Sequence, residues 1–198
     1  MEKMTFILAS SSPRRIEMLK KQGYRFKVVK PLCSEVACHI RGARGSALHN
    51  SKIKALYVEK LCDNAVILSA DTVVVLNNRI LGKPKDTKDA LRMLKELNNK
   101  THSVLTAYTV LTKKNGKIKI IDEKIVESKV SFGNFTDKDY AAYVRTKEPL
   151  DKTGAYAVQG LGARFVKEVK GSYSNVVGLP LFEVINSLKK AGVKALWK

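Results

Sequence analysis

Phe6-Ile7-Leu8-Ala9-Ser10-Ser11-Ser12-Pro13-Arg14-Arg15 joins a short apolar run to a charged segment through three serines and a proline. Residues 5–10 read as a buried strand. A helix is expected from Pro13 to about Gln22, stopped by Gly23. Proline suits the first helical position because its missing N–H would have no intrahelical partner there. The free N–H groups at such a start point outward and carry partial positive charge, so they favour an anion. Arg14 and Arg15 have the wrong sign for that dipole. An external anion explains the pair, and phosphate matches the guanidinium fork. The plain alternative is a surface helix with two solvated arginines.

Working outward, residues 26–29 form a second strand, and residues 46–62 keep Ala47, Leu48, Ala55, Leu56, Val58 and Leu61 at helical spacing. Residues 65–76 are strand-like throughout, Asn77-Asn78 supplies a tight turn, and Ile80-Leu81 continues beyond it. Asp86 or Thr87 caps a helix reaching Leu97, with Ala90, Leu91, Leu94 and Leu97 inward. Residues 103–112 and 118–132 flank Asn115-Gly116, a strong hairpin signal. Thr136 starts another helix, with Asp139 near a capping-box position. Residues 154–178 are glycine-rich with strand-like pieces, and Leu179-Pro180 opens a last amphipathic helix to about Ala191. The order predicts one mixed-sheet α/β unit over residues 1–198, its sheet curved or split into two lobes with a cleft between them.

The chain has 198 residues, enough for one sizeable core, and its 44% hydrophobic content is that of a globular protein rather than a disordered one. No segment is long and apolar enough for a bilayer, and the first apolar run is broken too soon for a signal peptide. Three cysteines, Cys33, Cys38 and Cys62, are too few and odd in number for a disulfide framework, and fit a reducing cytoplasm. Cys33, Cys38 and His39 lack the spacing and the fourth ligand of a structural zinc site. The net charge of +19 favours polyanions at low salt. Its lysines are scattered, however, and no aromatic residues interleave with them as a single-strand binding surface requires. A solvated basic surface is the default, and a nucleic-acid partner is not expected.

Asp71 lies within Val66-Ile67-Leu68-Ser69-Ala70-Asp71-Thr72-Val73-Val74-Val75. A carboxylate among so many apolar residues is either buried at a cost or held at a strand break facing a site. It can bind a metal ion, activate water, or do both in turn; capping a turn is the lesser alternative. Lys83, between Gly82 and Pro84, is held by a narrow loop and suits a phosphate or a plain turn. Glu35, in a polar loop after Pro31, is a second candidate oxygen ligand for a hard cation. Lys52 lies on the second helix and reads as solvent-exposed. Small residues surround Gln159, allowing close backbone approach to a ligand, and its amide suits a base edge. Neither this segment nor residues 171–180 fits the phosphate-loop or dinucleotide patterns. His39, His49 and His102 stand in no triad context and read as surface or packing residues.

Leu8-Ala9-Ser10-Ser11-Ser12-Pro13-Arg14-Arg15, Ala70-Asp71-Thr72-Val73-Val74, Gly82-Lys83-Pro84, and residues 151–162 and 171–181 occur in an order and spacing that resemble the Maf family of nucleoside triphosphate pyrophosphatases. The resemblance covers nearly the whole chain. Gln159, within Gly154-Ala155-Tyr156-Ala157-Val158-Gln159-Gly160, is similar to the branch that hydrolyses dTTP and UTP rather than the branch acting on 7-methyl-GTP. The resemblance implies water attack at the α-phosphorus, with a divalent metal, Mg²⁺ or Mn²⁺, required. It implies a two-lobed fold around a deep cleft, related to inosine triphosphate pyrophosphatases and often dimeric. It makes Asp71 the proton acceptor and a metal ligand with Glu35. Arg14, Thr72 and Gln159 take the positions linked to specificity, and Ser10, Arg15, Lys52 and Lys83 line the site. The family commonly has an acidic residue just before Glu35, where this chain has Ser34. Nucleotide-pool cleansing or a part in cell division is the implied cellular role. The competing class, a basic nucleotide- or nucleic-acid-binding protein without turnover, leaves Asp71 unexplained.

Overall fold

Strand β1 (Thr5–Ala9) is buried along nearly its whole length because it pairs in parallel on both sides, with β2 (Lys27–Val28) and β3 (Ala65–Leu76). Parallel strands covered on both faces are apolar throughout rather than alternating. Helix α1 (Pro13–Lys21) starts at the expected proline and ends at Gly23, whose φ of +70° reverses the chain. The computed structural model describes residues 4–35 and 38–197, with side chains from residue 42 onward in the second stretch.

The sheet is mixed, in the order β2-β1-β3-β5-β6-β7, where β5 is Thr101–Lys114, β6 Lys117–Phe132 and β7 Val166–Lys170, with β4 (Arg79–Leu81) on β3. β4 pairs antiparallel to β3 through a turn at Asn77 and Asn78, both left-handed at φ 49° and 62°. Asparagine tolerates that conformation, which matches the strand twist. The same chemistry at Asn115 and Gly116 joins β5 (Thr101–Lys114) to β6 (Lys117–Phe132). β7 (Val166–Lys170) pairs antiparallel to the end of β6.

Helix α2 (Cys38–Glu59) extends well before residue 46 and is broken at Gly42, where φ is +65°. Helix α3 (Thr87–Leu97) is capped by Asp86, which accepts from the Asp89 N–H at 2.8 Å. Helix α4 (Asp137–Arg145) has the full Thr136–Asp139 capping box. Two short helices follow β7, α5 (Tyr173–Val177) and α6 (Leu181–Lys190). The glycine-rich segment departs from its strand-like reading. A 3-10 turn at Glu148–Asp151 precedes it; within it lie 3-10 turns at Thr153–Ala155 and Leu161–Phe165 and the helix Tyr173–Val177, and only Val166–Lys170 is strand. Gly154 and Gly160 adopt positive φ, which interrupts any extended run.

The chain divides into two compact units, the first Met1–Asp71, Thr106–Val126 and Gly178–Lys198, the second Thr72–Leu105 and Glu127–Val177. In the first, Ala55 and Val58 of α2 pack with Ile7, Ala9, Ala65, Ile67 and Leu111. In the second, Leu94 and Leu97 of α3 and Tyr140 and Tyr143 of α4 share a core with Val130, Phe132 and Phe165. Each valine, leucine, isoleucine and phenylalanine among them contributes roughly 1.5–3 kcal/mol by leaving water. Among the described residues no helix is long and apolar enough to cross a membrane.

Candidate active site

Asp71 lies in an unbroken strand and is 7% exposed, so of the two expected placings it takes burial and not a strand break. A cation meets it there. Lys54 Nζ donates to Asp71 Oδ1 at 2.7 Å, and Asn50 Nδ2 approaches Asp71 Oδ2 at 3.5 Å. Asn50 and Lys54 are four residues apart on α2 and share a face. Lys54 Nζ also pairs with Glu35 Oε1 at 2.9 Å. A buried carboxylate is tolerable when an opposite charge and further hydrogen bonds meet it. Two carboxylates and one ammonium thus converge, from the loop after β2, from α2 and from β3.

Lys54 was not among the expected residues; Lys52 was. Lys52 Nζ instead pairs with Glu123 Oε2 at 3.2 Å, away from Asp71. Residues two apart on a helix point to different sides, so only one of the two lysines can reach the carboxylate. The available signal was the stripe of Ala47, Asn50, Ser51, Ala55 and Val58, on which Lys54 falls and Lys52 does not.

Arg15 binds within the protein. Its Nε donates to the Gly178 carbonyl at 2.8 Å, and its Nη1 donates to the Ala70 carbonyl at 2.9 Å and to Ser10 Oγ at 3.4 Å. Ser10 Oγ also accepts from the Ser12 N–H at 3.2 Å. Burial lowers the Arg15 pKa, and the charge of Asp71 opposes that shift; arginine starts so high that it stays cationic. The guanidinium therefore fixes the backbone beside Asp71 instead of standing open as half of an arginine pair. Arg14 is the half-buried neighbour on the first turn.

Ser10, Arg15, Glu35 and Asp71 are thereby brought together in the first unit. Thr72, Lys83 and Gln159 belong to the second. Thr72 is half-buried on β3, and Lys83 and Gln159 are exposed in loops. The Gly154 N–H donates to the Gly82 carbonyl at 2.9 Å, tying the segment that leads to Gln159 to the loop of Lys83. Lys83 also lines a cavity of ≈ 630 Å³ with Lys85, Lys88, Asp89 and Arg92. Beneath Gln159's segment, His102 Nε2 and the Tyr156 hydroxyl are 2.7 Å apart, and burial pushes the His102 pKa down to about 4. His102 is a packing residue, as expected.

Among the described residues no three His, Cys, Asp or Glu side chains form a metal cluster. The side chains of Cys38 and His39 lie outside the described set. Asp71 and Glu35 nonetheless already share one cation, the Lys54 ammonium, so their oxygens suit a hard ion supplemented by phosphate oxygens and water.

The chain carries a buried, sheet-borne carboxylate met by a lysine in its first unit, and basic and amide side chains on glycine-flanked loops in its second. It belongs to the Maf family: the model of the Maf-like protein matches residues 5–191. The chain is 41% identical over 186 residues to the dTTP/UTP pyrophosphatase of Syntrophus aciditrophicus (strain SB), covering 94% of this chain and 89% of that protein. The dTTP/UTP pyrophosphatase of Dictyoglomus turgidum is 40% identical over 193 residues, covering 96% and 97%. That of Shewanella denitrificans is 43% identical over 188 residues, covering 91% and 92%.

Proposed function

We propose that the protein hydrolyses dTTP and UTP to the monophosphate and pyrophosphate by attack of water on the α-phosphorus. The observation that carries this reading is the Asp71–Lys54 pair, a buried carboxylate held 2.7 Å from an ammonium in a chain of this family. The names of the relatives support the substrate. Asp71 accepts the proton of the attacking water, and the 2.7 Å contact with Lys54 holds the carboxylate in place. Asp71 and Glu35 would hold a divalent cation, Mg²⁺ or Mn²⁺, which supplies charge neutralisation and polarises a phosphoryl oxygen. Arg14 and Lys83 neutralise the phosphate tail. Arg15 and Ser10 hold the backbone beside Asp71, and the role expected of Lys52 passes to Lys54. Thr72 and Gln159 read the pyrimidine. Thymine and uracil share an O4 acceptor and an N3–H donor, and one glutamine amide can meet both. Cytosine reverses that pattern.

The span of the family match supports one functional domain. The protein acts in the cytoplasm on free nucleotides, and as a homodimer; its few cysteines support the first and the family resemblance the last. The test is pyrophosphate release from a panel of nucleotides with and without Mg²⁺. dTTP and UTP should be cleaved faster than CTP, only with metal. Tight binding of nucleotide with no release of pyrophosphate would overturn the reading in favour of a binding protein.

A further inference from the structure

Gln159 is exposed on a loop, and a free side chain there would not hold one orientation. The backbone on both sides of it is pinned by two residues outside the expected site. Glu148 Oε1 accepts from the Gly162 N–H at 3.0 Å, and Glu148 Oε2 accepts from the Leu161 N–H at 3.0 Å. The Tyr143 hydroxyl donates to Glu148 Oε1 at 2.8 Å and accepts from the Ala157 N–H at 3.3 Å. Fixed points therefore stand at residues 157, 161 and 162, two residues before Gln159 and two and three after it. Burial raises the Tyr143 pKa and Glu148 raises it further, so the phenol stays protonated and remains the donor. The carboxylate also caps the first amides of the Leu161–Phe165 turn, whose donors lack partners of their own.

The surrounding sequence conforms to this contact. Lys147 takes a left-handed φ of 63°, which turns the chain out of α4 and into Glu148. A Cβ on Gly160, at φ +107°, would stand 2.8 Å from Glu148 Oε2. A Cβ on Gly162 would stand 2.6 Å from the Tyr143 hydroxyl. Glycine at both positions leaves room for the carboxylate and phenol, and at 162 for the Ala157 backbone as well. Selective hydrogen bonding needs the reading group held within about 0.5 Å, which requires a locked support.

We propose that Glu148 and Tyr143 are the positioning residues that fix Gln159 and so set the preference for uracil and thymine over cytosine. This rests on the reading of Gln159 as the group that meets the base.

The test compares Glu148→Ala, Glu148→Gln, Tyr143→Phe, Gln159→Leu and the Glu148→Ala/Gln159→Leu double variant. Two quantities are read: the ratio of kcat/KM for UTP over CTP with Mg²⁺, and amide exchange at Leu161 and Gly162. Glu148→Ala should speed both amides and lower the UTP/CTP ratio about ten- to a hundredfold, as small misplacements of a substrate-positioning group do. Glu148→Gln, which keeps one acceptor oxygen, should restore part of the ratio. In the Gln159→Leu background, Glu148→Ala should lower the ratio no further. If Glu148→Ala fails to fold, Glu148→Gln and Tyr143→Phe carry the comparison. A ratio that falls in Gln159→Leu but is unchanged in those two variants overturns the clamp and leaves Gln159 as base reader. A ratio unchanged in Gln159→Leu itself overturns the base reading, and the clamp with it. Independent, additive losses in the double variant overturn the clamp, since Glu148 would then act by another route.

Discussion

Replacing Asp71 by asparagine separates the chemistry of the site from its architecture. Asparagine is nearly the same size and keeps an oxygen facing Lys54 Nζ, 2.7 Å away in the native pair. It cannot take a proton from water. Loss of a positioned base lowers turnover by about 10²–10⁴-fold, which is roughly 3–5 kcal/mol in the barrier. The stability change is smaller. One charge-assisted hydrogen bond becomes a neutral-acceptor bond, a loss of about 1–2 kcal/mol. For a chain of this size that lowers Tm by roughly 2–8 °C. Lys54→Met should show the opposite balance in stability. It strands a carboxylate whose side chain is 10% exposed, and breaking a buried pair in that way costs about 3–5 kcal/mol. The assays are pyrophosphate release at saturating Mg²⁺ and dTTP, and thermal melting of the same preparations. Asp71→Asn enzyme that melts near the native temperature and turns over within about tenfold of native would refute the argument, since a positioned base cannot be so dispensable.

The remaining expectations follow from single contacts. Lys52→Ala should leave turnover nearly intact and change stability by less than about 1 kcal/mol, because both members of its ion pair are partly exposed; an activity loss matching that of Lys54→Met would reinstate Lys52 in the site. Arg14→Ala and Lys83→Ala should weaken triphosphate binding far more than monophosphate binding in calorimetry, and equal losses would remove both from the phosphate tail. His102 has a folded pKa of about 4, against an ordinary 6.5. Its contribution is present above pH 6.5 and fades as pH falls towards 4, a loss of about 2 kcal/mol by pH 5 and about 3 kcal/mol by pH 4. Urea melts at pH 7 and pH 5 should show this and His102→Gln should flatten it; an unchanged difference would assign the acid sensitivity elsewhere. Gly23→Ala should displace Trp197, since its Cβ would stand 2.1 Å from Trp197 Cδ1, and emission of this single tryptophan reports the change; a native spectrum would disprove the contact.

The sequence makes some parts of this fold easy to read, because their signals are local. Thr136 with Asp139, Asp86 with Asp89, and asparagines at the two hairpins each act within three or four residues. Asp71 was also conspicuous, since a carboxylate inside an apolar strand demands a reason. Its partner was not conspicuous. Which of Lys52 and Lys54 faces Asp71 depends on the rotation of α2 about its axis, and the break at Gly42 means no upstream residue sets that phase. Glu148 was invisible for a different cause. It serves backbone N–H groups 13 and 14 residues away, and backbone donors have no letter in a sequence. The 3-10 turns of the same region carry neither the period of a helix nor that of a strand.

The bonds of Arg15 set an order on the making of this protein. Its guanidinium waits for a carbonyl 55 residues further along, at Ala70, and for another 163 residues further, at Gly178. Translation at about 5–20 residues per second separates the first of these from the last by roughly 5–20 seconds. Throughout that interval a nascent chain can carry Ser10, Lys54 and Asp71 while the arginine beside them still lacks its third anchor. A ribosome stalled before Gly178 therefore holds a chain with every expected acidic and basic site residue while this one bond of Arg15 is still unmade.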